Sequence, residues 1–335
     1  GALVIEENFV INGSEQFGYE GPLRNEIGNT TLNGRVRVGA IGGRISVGSG
    51  NLVVNGRIER EDSSSNPGLT LNVSGGVLTL SNRIDIAGGT LNMHSSGVNY
   101  LCSTGHVYAL AQVQYGNTLR LGIDDALRPD RALTIGQGTN GNGRVDLNGY
   151  RQTLARLQEQ GTVLNNLITN SQPLVSTLTI NQLSGVSDSF GGLIRGLIHL
   201  VKTGATNSVL TLRAANNIMG SATVCGGTLA LDATGLLGGF CTNVTVEAGT
   251  LSVQNSLALA NGATLRIVTG GTAKVNLSDG VIQPVRYLFL DDKMQRAGTY
   301  GSEISSAVHK SNTYFTGTGV LKVTSDSSGT TIHLK

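Results

Sequence analysis

The chain has 335 residues, of which 48 are Gly and only 5 are Pro, a composition that excludes collagen and a Pro-rich linker while its 39 % apolar residues suffice to line a narrow core. Trp is absent and aromatics amount to 4 %, which fits thin layers of Val, Leu and Ile better than a propeller or lectin sandwich built on large rings. A net charge of +2, spread without a run of Lys or Arg, leaves no electrostatic footprint for nucleic acid or an anionic membrane.

Along the chain one phrase keeps returning: Gly, any residue, an aliphatic, any residue, an aliphatic. It opens at Gly34 to Val38, repeats at Gly43 to Val47 and Gly50 to Val54, and follows at Gly76 to Leu80, Gly89 to Met93 and Gly143 to Leu147. Later copies stand at Gly227 to Leu231, Gly249 to Val253 and Gly319 to Val323, with Ala263 to Ile267 a near copy. A residue that tolerates positive φ followed by period-two alternation predicts a turn and a short half-buried strand. Early phrases lie about seven to nine residues apart, which predicts three strands per coil of roughly 20 to 24 residues. Cys225 to Leu231 aligns with Glu247 to Val253, so Leu229 is expected to stack on Leu251 and Leu231 on Val253, with Thr228 and Thr250 facing outward. The predicted fold is all-β: a single-stranded right-handed parallel β-helix, on the order of 15 coils and roughly 70 Å long, occupying residues 1–285.

Three stretches break the rhythm. Glu59 to Pro67 is charged, Ser-rich and without an aliphatic residue, and predicts a loop. Arg151 to Asn170 spaces Leu154, Leu157, Leu164 and Leu167 as a helix would, but Gly161 and the β-branched neighbours favour strands. Residues 286–335 gather the rings of Tyr287, Phe289, Tyr300, Tyr314 and Phe315. They are expected to cap the last coil and would offer a contact for a glycan. The longest apolar stretch, Gly191 to Val201, is interrupted by Arg195 and His199 and falls short of the roughly 20 residues of a membrane-spanning helix, so no membrane insertion is expected. The chain opens Gly-Ala without Met or a signal-peptide pattern, as a mature or excised fragment would.

Chemical motifs are sparse. Gly136 to Gly141 has the spacing of a dinucleotide loop, but Arg144 to Leu147 continues as a strand where that chemistry needs a helix N-terminus. The same region misplaces Asp146 for a calcium nonapeptide. His94, His106, His199, His309 and His333 share no metal-ligand spacing, and no Gly-x-Ser-x-Gly elbow occurs. No catalytic residue, cofactor or metal is expected. The carboxylates a polysaccharide-cleaving β-helix would need have candidates in Asp124-Asp125 with Arg128, Asp130 and Arg131, and in Asp291-Asp292 with Lys293. Neighbours on a strand point to opposite faces, so each doublet reads as turn carboxylates. Sequons at Asn12, Asn29, Asn72, Asn243 and Asn276 are of the number chance supplies in a chain this rich in Asn, Ser and Thr. Cys225 and Cys241 share one repeat-sized segment apart from Cys102. They read either as a local disulfide or as two small apolar core residues.

The residues also resemble a family. Gly21-Pro22-Leu23-Arg24-Asn25 with Gly28 to Thr31, Leu133 to Gly136 with Val145 to Leu154, and Leu200 to Gly204 with Val209 to Leu212 and Gly226 to Leu229 are similar to bacterial autotransporter-associated β-strand repeat proteins. Val244 to Leu251 resembles the next stretch of that repeat. Tyr287 to Asp292, Ala297 to Gly301 and Tyr314 to Leu321 resemble the terminal segment of large secreted members. The resemblance implies an exported β-helix, displayed at a cell surface or released, and the exported setting favours the Cys225–Cys241 bridge. Lys322 to Lys335 lacks the alternation and aromatic girdles of the membrane barrel that ends a complete autotransporter. The expected function is a non-enzymatic structural or adhesive module that self-associates or contacts surface glycans or surface proteins. A carbohydrate-active enzyme, or a glycan-binding accessory module of one, is the alternative.

Overall fold

The computed structural model describes residues 2–13, 21–138, 141–161, 165–268, 270 and 272–326. It is all-β, without an α-helix among the described residues, and its parallel sheets stack as a β-solenoid of about 12 turns. The chain divides into two compact units, Gly1–Ile180 with Gly191–Ile194, and Asn181–Phe190 with Arg195–Lys335. Among the described residues no helix is long and apolar enough to cross a membrane.

In the first unit one face is built in order from Leu3–Ile5, Asn29–Leu32, Asn51–Val54, Val77–Leu80, Val98–Leu101, Thr118–Leu121, Arg144–Asp146 and Leu167–Thr169, each parallel to the next. A second face runs from Leu23–Asn25 through the end of the long strand Val36–Val47 to Leu69–Val73, Thr90–His94, Leu110–Val113, Ala132–Ile135 and Arg156–Glu159. The third is shorter: Phe9–Gly13, the start of Val36–Val47, Ile58–Arg60 and Ile84–Asp85. Alternation along each strand turns every second side chain inward. Leu69, Leu91, Ala111, Leu133 and Leu157 therefore form one buried column, and Leu71, Met93, Val113 and Ile135 another. One column is interrupted by a polar residue: Leu52, Leu78, Asn99, Leu119, Val145 and Ile168 lie in register. The fully buried Asn99 amide donates to Asn117 Oδ1 at 2.8 Å, and Asn117 in turn donates to the His94 carbonyl at 2.9 Å.

In the second unit Ser187–Phe190, Val209–Leu212, Thr228–Leu231, Thr250–Val253 and Lys274–Leu277 stack in parallel. Leu229 lies on Leu251 and Leu231 on Val253, all fully buried, while Thr228 pairs with Thr250 on the outer side. A companion stack runs from Ile198–Gly204 through Ser221–Val224, Asn243–Val246 and Thr264–Ile267 to Tyr287–Leu290. From Lys293 onward the pairing changes character, with Phe289 antiparallel to Met294 and Gly298–Gly301 antiparallel to Val320–Val323.

The count of about 12 turns corrects the expected 15 or so. Corners absorb unequal lengths: Asn51 pairs with Val77 and Thr118 with Arg144, whereas Val209 reaches Thr228 in fewer residues. Glu61 to Gly68 is a loop closed by Asp62, whose carboxylate accepts the Ser64 N–H at 2.9 Å. Gln152–Leu154, Arg156–Glu159 and Leu167–Thr169 are strands, as the β-branched residues of that segment indicated.

Candidate functional site

The candidate carboxylates are engaged within turns. Asp124 accepts the Arg151 backbone N–H at 2.8 Å and its guanidinium at 2.9 and 3.0 Å, which together hold its carboxyl below the usual range, the backbone bond contributing most. Asp125 sits at φ 49° and accepts the Thr153 N–H at 2.7 Å. Asp130 is gripped at two points by Arg128, at 2.9 and 2.6 Å, which lowers its pKa. Asp291 and Asp292 occupy a positive-φ turn, where Asp291 accepts the Tyr314 hydroxyl at 2.7 Å and Asp292 pairs with Arg266 at 2.6 Å. Lys293 beside them is exposed. Neither doublet points two carboxylates into one groove.

The five rings of the C-terminal segment do not form one exposed platform. Phe315 is 1 % exposed because it stacks beneath Val275 as a core residue, and Tyr300 is buried against His309 with its hydroxyl donating to the Arg296 carbonyl at 2.8 Å. Tyr287, Phe289 and Tyr314 are half-buried, and the Arg266 guanidinium covers the Phe289 face at 4.3 Å.

Cys225 and Cys241 are not bridged; both are free thiols, as is Cys102. Ser221–Val224 pairs in register with Asn243–Val246, so Cys225 follows the end of this stack while Cys241 precedes its start. Four strand residues place them on the order of 13 Å apart, beyond the roughly 7 Å between Cα atoms that a disulfide spans. Cys241 is a buried core residue, and Cys225 faces Glu247 at 3.4 Å.

A constellation that the sequence reading passed over lies in the first unit. A cleft of about 700 Å³ is lined by Arg44, Asn72, Ser74, His94, Ser95, Ser96 and Tyr115. Arg44 belongs to Val36–Val47, Asn72 to Leu69–Val73 and His94 to Thr90–His94; Ser46, Asn72 and His94 are successive partners in the stack. Ser74, Ser95 and Ser96 belong to the turns that leave Leu69–Val73 and Thr90–His94, and Tyr115 to the turn that leaves Leu110–Val113. The His94 ring meets the Tyr115 ring at 5.0 Å and 54°, and Gln114 Nε2 donates to His94 Nε2, a bond that the neutral imidazole accepts. Burial, and then the charge of Arg44, hold the His94 pKa down at about 4.

The backbone at this cleft is unusual. Among the described residues seven non-glycines have positive φ, and four of them are Asp or Asn, which tolerate it. Two of the other three, Ser95 at 67° and Tyr115 at 54°, line the cleft. Tyr115 and Gly116 are the central residues of a turn in which the Asn117 N–H donates to the Gln114 carbonyl at 3.1 Å, with both central φ values positive. That is the type I′ turn, which favours Asn-Gly. The turn from Leu147 to Tyr150 has the favoured pair, Asn148-Gly149, at 51° and 87°. Placing Tyr where Asn is preferred costs about 1–2 kcal/mol, and nearly half of the Tyr115 surface remains in solvent.

The sequence carried one signal of this site, Tyr115-Gly116 at a turn position suited to Asn-Gly. Comparison of the chain with protein-family models, with curated proteins and with solved structures finds no match.

Proposed function

We propose that the chain is a non-enzymatic, extracellular structural or adhesive module of the autotransporter-passenger kind that its repeats resemble. The observation carrying this reading is the condition of its acidic residues. The five nominated aspartates accept turn N–H groups, a tyrosine hydroxyl or arginine side chains instead of converging on a groove, whereas glycoside cleavage needs two carboxylates flanking one bond. The outer surface is repetitive in kind: Asn51 donates to Asn29 and Asn55 to Asn33 across adjacent coils, at 2.8 and 2.9 Å. Such ladders suit a rigid spacer that presents the same chemistry again and again.

The test is direct. Purified protein is incubated with a polysaccharide panel, and its assembly or retention on surfaces is followed by sedimentation and electron microscopy. Ordered assembly or surface retention without turnover is expected. Turnover that disappears in Asp124→Asn or Asp291→Asn with the fold intact would replace this reading by the carbohydrate-active one.

A further inference from the structure

We propose that the cleft around Tyr115 is a binding site for an uncharged sugar ring, stacked on the Tyr115 face and hydrogen-bonded through its hydroxyls to Ser74, Ser95 and Ser96. The proposal concerns a single ligand site and holds whether or not the module assembles.

The donor and acceptor inventory selects the ligand. Each serine hydroxyl has one proton and two lone pairs. The Ser95 proton goes to Asn72 Oδ1 at 2.7 Å, that of Ser96 to the Ser74 carbonyl at 2.8 Å, and that of Ser74 to the Val47 carbonyl at 3.3 Å. All three oxygens therefore offer lone pairs to whatever enters. A carboxylate or phosphate, itself only an acceptor, meets these hydroxyls lone pair to lone pair and is left to the Asn72 amide and the Arg44 guanidinium, and Arg44 is buried, at 7 % exposed. A polyol brings many O–H donors and satisfies them. The Tyr115 ring, set against His94, supplies the apolar counterpart for the C–H face of a sugar, an amphipathic role to which tyrosine is suited.

The strained turn gives the second, independent argument. Burial does not demand a tyrosine at this positive-φ position, since nearly half of the Tyr115 surface remains in solvent, and the equivalent turn at Asn148-Gly149 is built without strain. A tyrosine kept at an unfavourable position on the wall of a cleft is the pattern expected when a ring is needed there for a ligand.

Binding of neutral cello-, manno-, xylo-, malto- and galacto-oligosaccharides is measured by titration calorimetry, beside polygalacturonate as the anionic comparison. At least one neutral oligosaccharide is expected to bind saturably, and Tyr115→Asn to weaken it by about tenfold or more while melting at or above the wild-type temperature. Tyr115→Phe, which keeps the face, is expected to retain binding. The proposal is overturned if no neutral saccharide binds, if Tyr115→Asn leaves affinity unchanged, or if that variant melts well below wild type, which would make the ring structural. Binding of polygalacturonate alone would also overturn it and assign the cleft to the charge of Arg44.

Discussion

Gln283 holds both backbone groups of Leu259 with one side chain: its amide oxygen accepts the Leu259 N–H at 3.1 Å and its nitrogen donates to the Leu259 carbonyl at 3.2 Å. Gln152 does the same to Leu127 in the other unit, at 2.9 and 3.1 Å. Each glutamine also donates to the carbonyl of the residue that follows it. A corner of the coil that has no strand partner is thereby given one by a side chain, which answers the requirement that buried backbone groups be paired.

Replacing Gln283 by Leu keeps the volume and removes the bonds. Two buried backbone groups lose their partner at about 1–3 kcal/mol each, so the variant is expected to unfold at distinctly lower urea concentration than wild type. An unchanged midpoint would show that Leu259 finds other partners.

Leu251 is fully buried between Leu229 and Val275 in consecutive coils. Leu251→Asp places a carboxylate between apolar layers and is expected to cost about 3–5 kcal/mol, read as a large drop in melting temperature. Leu251→Met, which conserves volume, is the control and should cost under about 1.5 kcal/mol.

Acid should destabilise the fold well above the range in which carboxylates titrate. His94 and His106 are each held down to about 4 from the usual 6.5, chiefly by burial, and His106 Nδ1 accepts the Ile84 N–H at 3.0 Å, a bond open only to the unprotonated nitrogen. Between pH 6.5 and 4 the unfolded chain binds the more protons, so stability rises with pH across this window and is lost as pH falls through it. For the deeply buried His106 the effect is on the order of 3 kcal/mol. Melting temperature measured from pH 7 to pH 4 should fall steadily, and His106→Asn, which keeps an acceptor and cannot be protonated, should flatten the decline.

All three cysteines are expected as thiols. Intact mass should be the same before and after reduction, and denaturation should release three alkylatable groups. In the folded protein alkylation at neutral pH should be slow, because burial pushes Cys241 up to about 12, and burial together with Glu247 pushes Cys225 up to about 11. A loss of two hydrogen atoms' mass, located by peptide mapping to Cys225 and Cys241, would contradict their separation.

The stack of Leu229 on Leu251 was legible in the sequence because the phrase around each is nearly the same and the inward residues follow from period two. Strands in Arg151 to Asn170 were legible from composition. The number of turns was not, since the Gly phrase marks where a strand begins and is silent on how many residues a corner absorbs. The roles of Gln152 and Gln283 were hidden for a related reason: a lone glutamine in a strand pattern looks like an outward residue until the backbone opposite it is known. Arg44, His94 and Tyr115 lie far apart in the chain and meet only through stacking, so apart from the Tyr115-Gly116 turn no local motif announces them. Of the five rings of the C-terminal segment, Tyr300 and Phe315 are used inside the fold, an outcome that ring count alone does not reveal.

The buried pair Asn99 and Asn117 bears on how the chain avoids misassembly. Successive coils present nearly interchangeable Leu and Val columns, so sliding one coil past its neighbour, or skipping one, would cost little in apolar contact. Asn99 breaks that degeneracy: its amide finds an acceptor only where Asn117 stands on the adjacent coil, and Asn117 only where the His94 carbonyl stands. A chain that skipped a coil here would leave an amide stranded among leucines. The pair thus favours one register between these two coils, as a single polar residue does in a coiled coil.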